Sequence, residues 1–258
     1  MPGSDRSRSG VCRSFRVSHE SVISNGDRDG RKRISNSATQ IPVQPQKPVR
    51  FPILAWLGLL LIVAIVGFWL DPAVVSWTNS HPSQWARQAG GFFSKIGDWP
   101  ELASVAAVVL VIAWFARSKR LTKLLLCMLL ASTIAGGSVN LVRVLSGRTR
   151  PNAKVEQGWY GVWYGHEFIL RNNHFHSFPS GHTAAAFGYF GIIGFAYRRW
   201  YWLSLAPAVV IGWARLAIVA HHLSDVLIGA AAGLMVAHWV WLRAGPRVQR
   251  WVERRMDT

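Results

Sequence analysis

Between Arg50 and Asp71 the chain carries no charge from Phe51 to Leu70. That is about the 20 residues a helix needs to cross the hydrocarbon core of a bilayer. A segment so uniformly apolar has no polar face to give to water, so it directs the chain into a membrane rather than into a soluble core. Five more apolar runs follow, Leu102 to Ala116, Leu124 to Val142, Thr183 to Tyr197, Trp200 to Ala214 and Val226 to Leu242. Several fall short of a full crossing, and one of them alone could be a buried soluble helix. Their number decides for the membrane. The expected fold is therefore all-α, a six-transmembrane-helix bundle over residues 50–243. Residues 1–49, rich in Ser, Arg, Asn, Asp, Gln and Pro with no apolar period, are expected to form a disordered basic tail, and residues 244–258 a basic cytoplasmic tail.

The formal charge of +17 then needs a location. A nucleic-acid binder would gather its cations on one face, whereas here they lie between apolar runs and in the tails, which argues against a nucleic-acid partner. Arg and Lys crowd the N-terminal tail, the turn Arg117-Ser118-Lys119-Arg120, the pair Arg198-Arg199 and the stretch Arg243 to Arg255. These all fall on one side of a six-helix chain, and the positive-inside rule makes that side cytoplasmic. The loops 71–101 and 146–182 and the turn holding His221 and Asp225 are then expected to face outward from a cytoplasmic (inner) membrane. Cys12 and Cys127 offer neither a disulfide framework nor a paired metal motif.

Three polar clusters interrupt the apolar pattern. Arg143, Arg148 and Arg150 stand at the end of one run, with Pro151 after them. Phe178-Pro179-Ser180-Gly181-His182-Thr183 opens another; Ser180 is placed to N-cap it, and its first-turn N–H groups can seat an anion where Gly181 leaves room. In the third, Arg215 precedes His221 and Asp225, which are four apart and share a helix face. Fixed guanidinium groups match phosphate oxygens and can stabilise the charge of a transferring phosphoryl group. A neutral imidazole at His221 can attack phosphorus, Asp225 can fix its tautomer, and His182 can protonate the leaving oxygen and later activate water. The expected site is thus His221, His182 and Asp225 for catalysis, with Arg143, Arg150, Ser180, Gly181 and Arg215 on the phosphate.

The order Arg143-x6-Arg150-Pro151, Pro179-Ser180-Gly181-His182 and Arg215-x5-His221-x3-Asp225 resembles the signature of the type 2 phosphatidic acid phosphatase (PAP2) family, lipid phosphate phosphatase branch, whose site is related to that of vanadium haloperoxidases. The match covers residues 143–225 directly and the helical pattern extends it to residues 51–243. Arg143 stands where the family has lysine, and Ala214 where a serine precedes the arginine. The resemblance implies the same residue roles, a phosphohistidine intermediate, no metal and no other cofactor, and a membrane lipid phosphate or diphosphate as substrate. A phosphotransferase using the same intermediate and a non-catalytic anionic-lipid binding or transport protein are the alternatives.

Other residues carry less. His222 is the alternative nucleophile, but its neighbour four residues on is Val226. His166, Glu167, His174 and His176 can line an entrance or bind a metal, and Arg148 can act at the site or meet lipid headgroups. Asn140, Ser138, Gly136, Gly137 and the run Gly229 to Gly233 are read as close-packing positions, and His238 as a packing or interfacial histidine.

Overall fold

A computed structural model of the chain describes residues 52–257. The tail expected over residues 1–49 lies outside them. Helices α1 (Ile53–Ser80), α2 (Gln84–Ile96), α3 (Trp99–Phe115) and α4 (Lys119–Ser146) precede a long loop, and α5 (Gly181–Ala196), α6 (Tyr201–Ala217) and α7 (Leu223–Trp239) follow it. A π-helical turn, Val240–Ala244, carries α7 into α8 (Gly245–Met256). The loop holds a two-stranded antiparallel hairpin, β1 (Trp163–Tyr164) and β2 (Glu167–Phe168), and a 3-10 turn, Asn173–Phe175.

Each expected span falls on a helix, α1 and α3 to α7. Their lengths differ. Among the described residues, Ile53–Ser80, Lys119–Ser146 and Leu223–Met256 are long and apolar enough to cross a membrane on their own; Gln84–Ile96 and Trp99–Phe115 qualify only as a pair bent by 51°. Helices α5 and α6, with 16 and 17 residues, are shorter than a usual crossing.

The stretch expected as the 71–101 loop is mostly helical: α1 runs past Asp71 to Ser80, and α2 fills much of the rest. Its apolar residues Trp85, Ala89, Phe92, Phe93 and Ile96 recur at helical spacing among Gln84, Arg87, Gln88 and Lys95, so α2 is amphipathic and escapes a search for unbroken apolar runs. The C-terminal stretch is also helical. Helix α8 is pinned to the α3–α4 turn, where Arg117 donates to the Met256 carbonyl at 3.0 Å, Lys123 to Gln249 at 2.9 Å, and Lys119 pairs with Asp257.

Helix α5 occupies the middle, packed against α4, α6 and α7, while α1 lies along α7, α2 along α6 and α3 along α4. Small residues make this closeness possible. A Cβ on Gly229 would fall 2.7 Å from the Ser180 carbonyl oxygen, and one on Gly233 2.4 Å from that of Ala184. The backbone of α7 therefore touches the first turns of α5, as the small-residue run predicts. His238 is a packing residue, buried, with its Nδ1 accepting from Trp56 Nε1 at 3.2 Å.

Candidate active site

Helix α4 ends at Gly147, whose φ of 58° is left-handed and whose Cα lies so close to Gly161 that a Cβ would overlap it. A glycine there stops the helix and turns the chain. Ser146 Oγ then donates to the Phe178 carbonyl at 2.8 Å, Ser177 N to the Arg148 carbonyl at 3.0 Å, and Ser180 N to the Asp225 carbonyl at 3.0 Å. These bonds bring the end of α4, the start of α5 and the start of α7 to one end of the bundle.

His221 sits in the short turn between α6 and α7, one residue before the N-cap His222, so it does not share a helix face with Asp225 as expected; the chain's entry into α7 brings the two together instead. Val219 in that turn has φ 55°, a conformation that costs a β-branched residue about 1–2 kcal/mol and that is held by Val219 N and Ala220 N donating to the carbonyls of Leu216 and Arg215 at 2.9 and 3.1 Å. His221 is 2% exposed. Its Nδ1 lies 2.7 Å from the Ser177 carbonyl and 3.5 Å from Asp225 Oδ2. A carbonyl only accepts, so Nδ1 carries the proton and Nε2 presents its lone pair. The tautomer is thus fixed first by Ser177, with Asp225 as the longer second partner, where the sequence pattern assigns the task to Asp225 alone. Nε2 is buried and makes no hydrogen bond. Burial depresses the His221 pKa to about 4 against the opposing pull of Asp225, so the ring is neutral at physiological pH.

Asp225 is fully buried. Its Oδ2 accepts from Ser177 Oγ at 2.5 Å and His222 N at 2.8 Å, and its Oδ1 from Arg148 Nη1 at 2.5 Å. Arg148 also donates to Ser224 Oγ at 2.7 Å and to Asp71 Oδ2 at 2.6 Å, while Asp71 accepts from Ser224 N and Oγ at 2.8 and 2.6 Å. The rings of Trp159 and Phe68 face the Arg148 guanidinium at 4.9 and 5.2 Å. Arg148 is 7% exposed, so a role at lipid headgroups does not hold: it is a buried clamp tying α1 to α7.

Arg143, Arg150 and Arg215 behave differently. The Nε of each is buried and without a hydrogen-bond partner. Arg150 and Arg215 lie within electrostatic reach of each other and of Arg143, and His182 and His221 within reach of both. Burial and then Arg143 push the Arg150 pKa down, and burial, Arg143 and Arg150 do the same to His176. Unpaired buried donors around clustered like charges call for an anion. Gly181 borders the same space: a Cβ there would come within 2.9 Å of Asn140 Oδ1 and 3.6 Å of Arg143 Nη1.

Ser180 is at the N-cap position of α5, yet its side chain makes no cap bond; its hydroxyl accepts from Thr183 Oγ1 at 2.9 Å. The expected hydroxyl cap is replaced by a contact between side chains, which leaves the first-turn N–H groups uncapped by Ser180. His222 Nε2 lies 3.2 Å from the Thr149 carbonyl, and its backbone N–H donates to Asp225 Oδ2 at 2.8 Å. His174 is exposed and gives its carbonyl to Arg150 N at 2.8 Å.

Asn140, Asp71, Ser177, Ser94 and Asp98 reach the site from outside the sequence motifs. Asp71 and Ser177 support the clamp and the imidazole. Ser94 on α2 accepts from Arg215 Nη1, and Asp98, which caps α3 by accepting from Trp99 N at 2.8 Å, has Oδ1 3.4 Å from His182 Nε2. Asp71 and Asp98 could have been suspected, since a carboxylate beside a membrane span requires compensation.

A model of the PAP2 superfamily matches residues 120–248. Over 161 residues the chain is 30% identical to a lipid A 1-phosphatase of Porphyromonas gingivalis, covering 59% of this chain and 32% of that protein. Over 101 residues it is 31% identical to a lipid A 1-phosphatase of Rhizobium etli, covering 38% of this chain and 41% of that protein. The chain thus spans well under half the length of these curated relatives. Its fold is similar to the crystal structure of the first transmembrane PAP2 type phosphatidylglycerolphosphate phosphatase from Bacillus subtilis, with TM-score 0.54 and 20% identity over 72% of this chain and 92% of that one.

Proposed function

Because the chain belongs to the PAP2 superfamily, we propose that it is an integral membrane phosphatase that removes a phosphate from a lipid through a phosphohistidine, and that lipid A bearing a 1-phosphate is the first substrate to try. The observation that carries this reading is His221 Nε2, a buried lone pair without a partner, in reach of cations whose inner donors are equally unused. Binding alone needs no oriented nucleophile.

In the proposed reaction the substrate phosphate lies against Arg143, Arg150, Arg215, Ser180 and the Gly181 N–H. His221 Nε2 attacks phosphorus, the bond to the lipid oxygen breaks, and His182 gives that oxygen its proton. Ser177 and Asp225 stabilise the charge on the His221 ring. Water, deprotonated by His182, then attacks the phosphohistidine, releasing inorganic phosphate and restoring both histidines. All six apolar helices cross an inner membrane in this reading, α5 and α6 as short spans enclosed by their neighbours, with the basic turns cytoplasmic and the site facing outward.

Phosphate release by the detergent-purified chain is the direct test, with lipid A, phosphatidic acid, phosphatidylglycerol phosphate and undecaprenyl diphosphate as substrates. Release from at least one, abolished by His221→Ala and persisting in a strong chelator, is expected. Equal release by His221→Ala, or none from any of the lipids, overturns the reading.

A further inference from the structure

The corner between α2 and α3 belongs to the site, although it precedes residue 120, where the family match begins. It is held firmly. A Cβ on Gly97 would fall 2.5 Å from Ile211 Cγ1, and one on Gly90 3.1 Å from Ala217 Cβ, so the end of α2 lies directly on α6. From this corner Ser94 meets Arg215, and Asp98 meets His182 at 3.4 Å. Asp98 is also within electrostatic reach of Arg143 and Arg215.

His182 has a difficult task there. To protonate a leaving oxygen its ring must be doubly protonated, yet burial first, and then Arg215 from α6, His221 from the turn between α6 and α7, and Arg143 and Arg150 from α4 and the loop after it, push its pKa down to about 3. A cation among cations loses its proton readily. Asp225 is already engaged by Arg148, Ser177, His222 and His221.

We propose that Asp98 is a positioning residue for His182, its carboxylate supplying a negative charge that opposes the arginines and strengthens this imidazole's hold on the proton it delivers to the leaving oxygen. Asp98 itself takes no proton. His182 passes its proton to the leaving alkoxide and recovers one from the attacking water, so the cycle balances without a further acid. The inference rests on the phosphatase reading above for its kinetic arm, but not for its spectroscopic one.

Asp98→Asn is the informative variant, because asparagine also caps helices well and should preserve the start of α3. For a short-chain phosphatidic acid, whose alkoxide needs a proton, the limb of the kcat/KM profile that His182 sets should move about one unit to lower pH, the low end for an opposite charge nearby because both side chains are partly exposed. The limb set by His221 should stay. For p-nitrophenyl phosphate, whose leaving group needs little help, the loss of rate should be much smaller. A profile with neither limb moved, or equal losses on both substrates, overturns the proposal and leaves Asp98 a helix cap. Titration of 13C-histidine-labelled protein, with the His182 resonance assigned by its loss in His182→Ala, gives a second readout: the Asp98→Asn variant should lower the His182 midpoint by about one unit, and an unchanged midpoint refutes the idea even in a preparation that releases no phosphate. Failure of wild-type turnover alone counts against the phosphatase reading, not against this contact.

Discussion

Arg148 and Arg150 stand two positions apart in one motif and do opposite work. Arg148 spends its donors on Asp71, Ser224 and Asp225, all buried, whereas Arg150 keeps an unused Nε. Removing one partner of a buried ion pair strands the other and costs about 3–5 kcal/mol; removing a donor to transition-state charge costs about 100- to 1000-fold in rate. Arg148→Ala should therefore lower the unfolding midpoint sharply, while Arg150→Ala should unfold near the wild-type temperature and lose turnover by that factor. Thermal unfolding and phosphate release on both variants check this, and the opposite pattern would exchange their roles. The sequence left the role of Arg148 open because its partner Asp71 lies 77 residues away in a span of its own. The pairing of His221 with Asp225 was legible from their four-residue spacing, whereas His182, on another helix, was joined to them only by the order of the family's motifs. That Ser177 holds the His221 ring was not, because a backbone carbonyl leaves no trace in residue identity.

At the level of elements, the apolar runs located α1 and α3 to α7 because each is defined by composition alone. Helix α2 was missed because its signal is a period rather than a run, and it brings Ser94 and the corner carrying Asp98 to the site. The packing of α5 on α7 was foreshadowed by the small residues from Gly229 to Gly233, but not which turn they would touch. Gly229 meets Ser180 itself. Gly229→Ala should therefore separate α7 from the start of α5, lowering both stability and kcat, whereas Gly58→Ala, with nothing within 4 Å of its added Cβ, should leave both intact or gain slightly from helix propensity. Equal effects at the two positions would show that close contact at Ser180 is not what the glycine provides.

Across the whole molecule, α4 separates two chemistries by its length. Its 28 residues span about 42 Å, from Lys119 beside the basic helix α8 to Arg143 and Ser146 at the site. The proposed orientation follows from that polarity. In intact spheroplasts a membrane-impermeant thiol reagent should reach a cysteine placed near residue 160 and fail to reach one near residue 119 until the membrane is opened. The reverse pattern would invert the topology while leaving the chemistry as it stands. The clamp that joins α1 to α7 adds a matter of timing. A ribosome delivers Asp71 first, then Arg148, and Ser224 with Asp225 only after α6 has been made. While the chain is being synthesised Asp71 waits without its cation, then shares Arg148 alone, and the network closes when α7 arrives. The residues that orient His221 are thus among the last to find their partners, so in a nascent chain the proposed nucleophile is not held in place until the final apolar helix has been made.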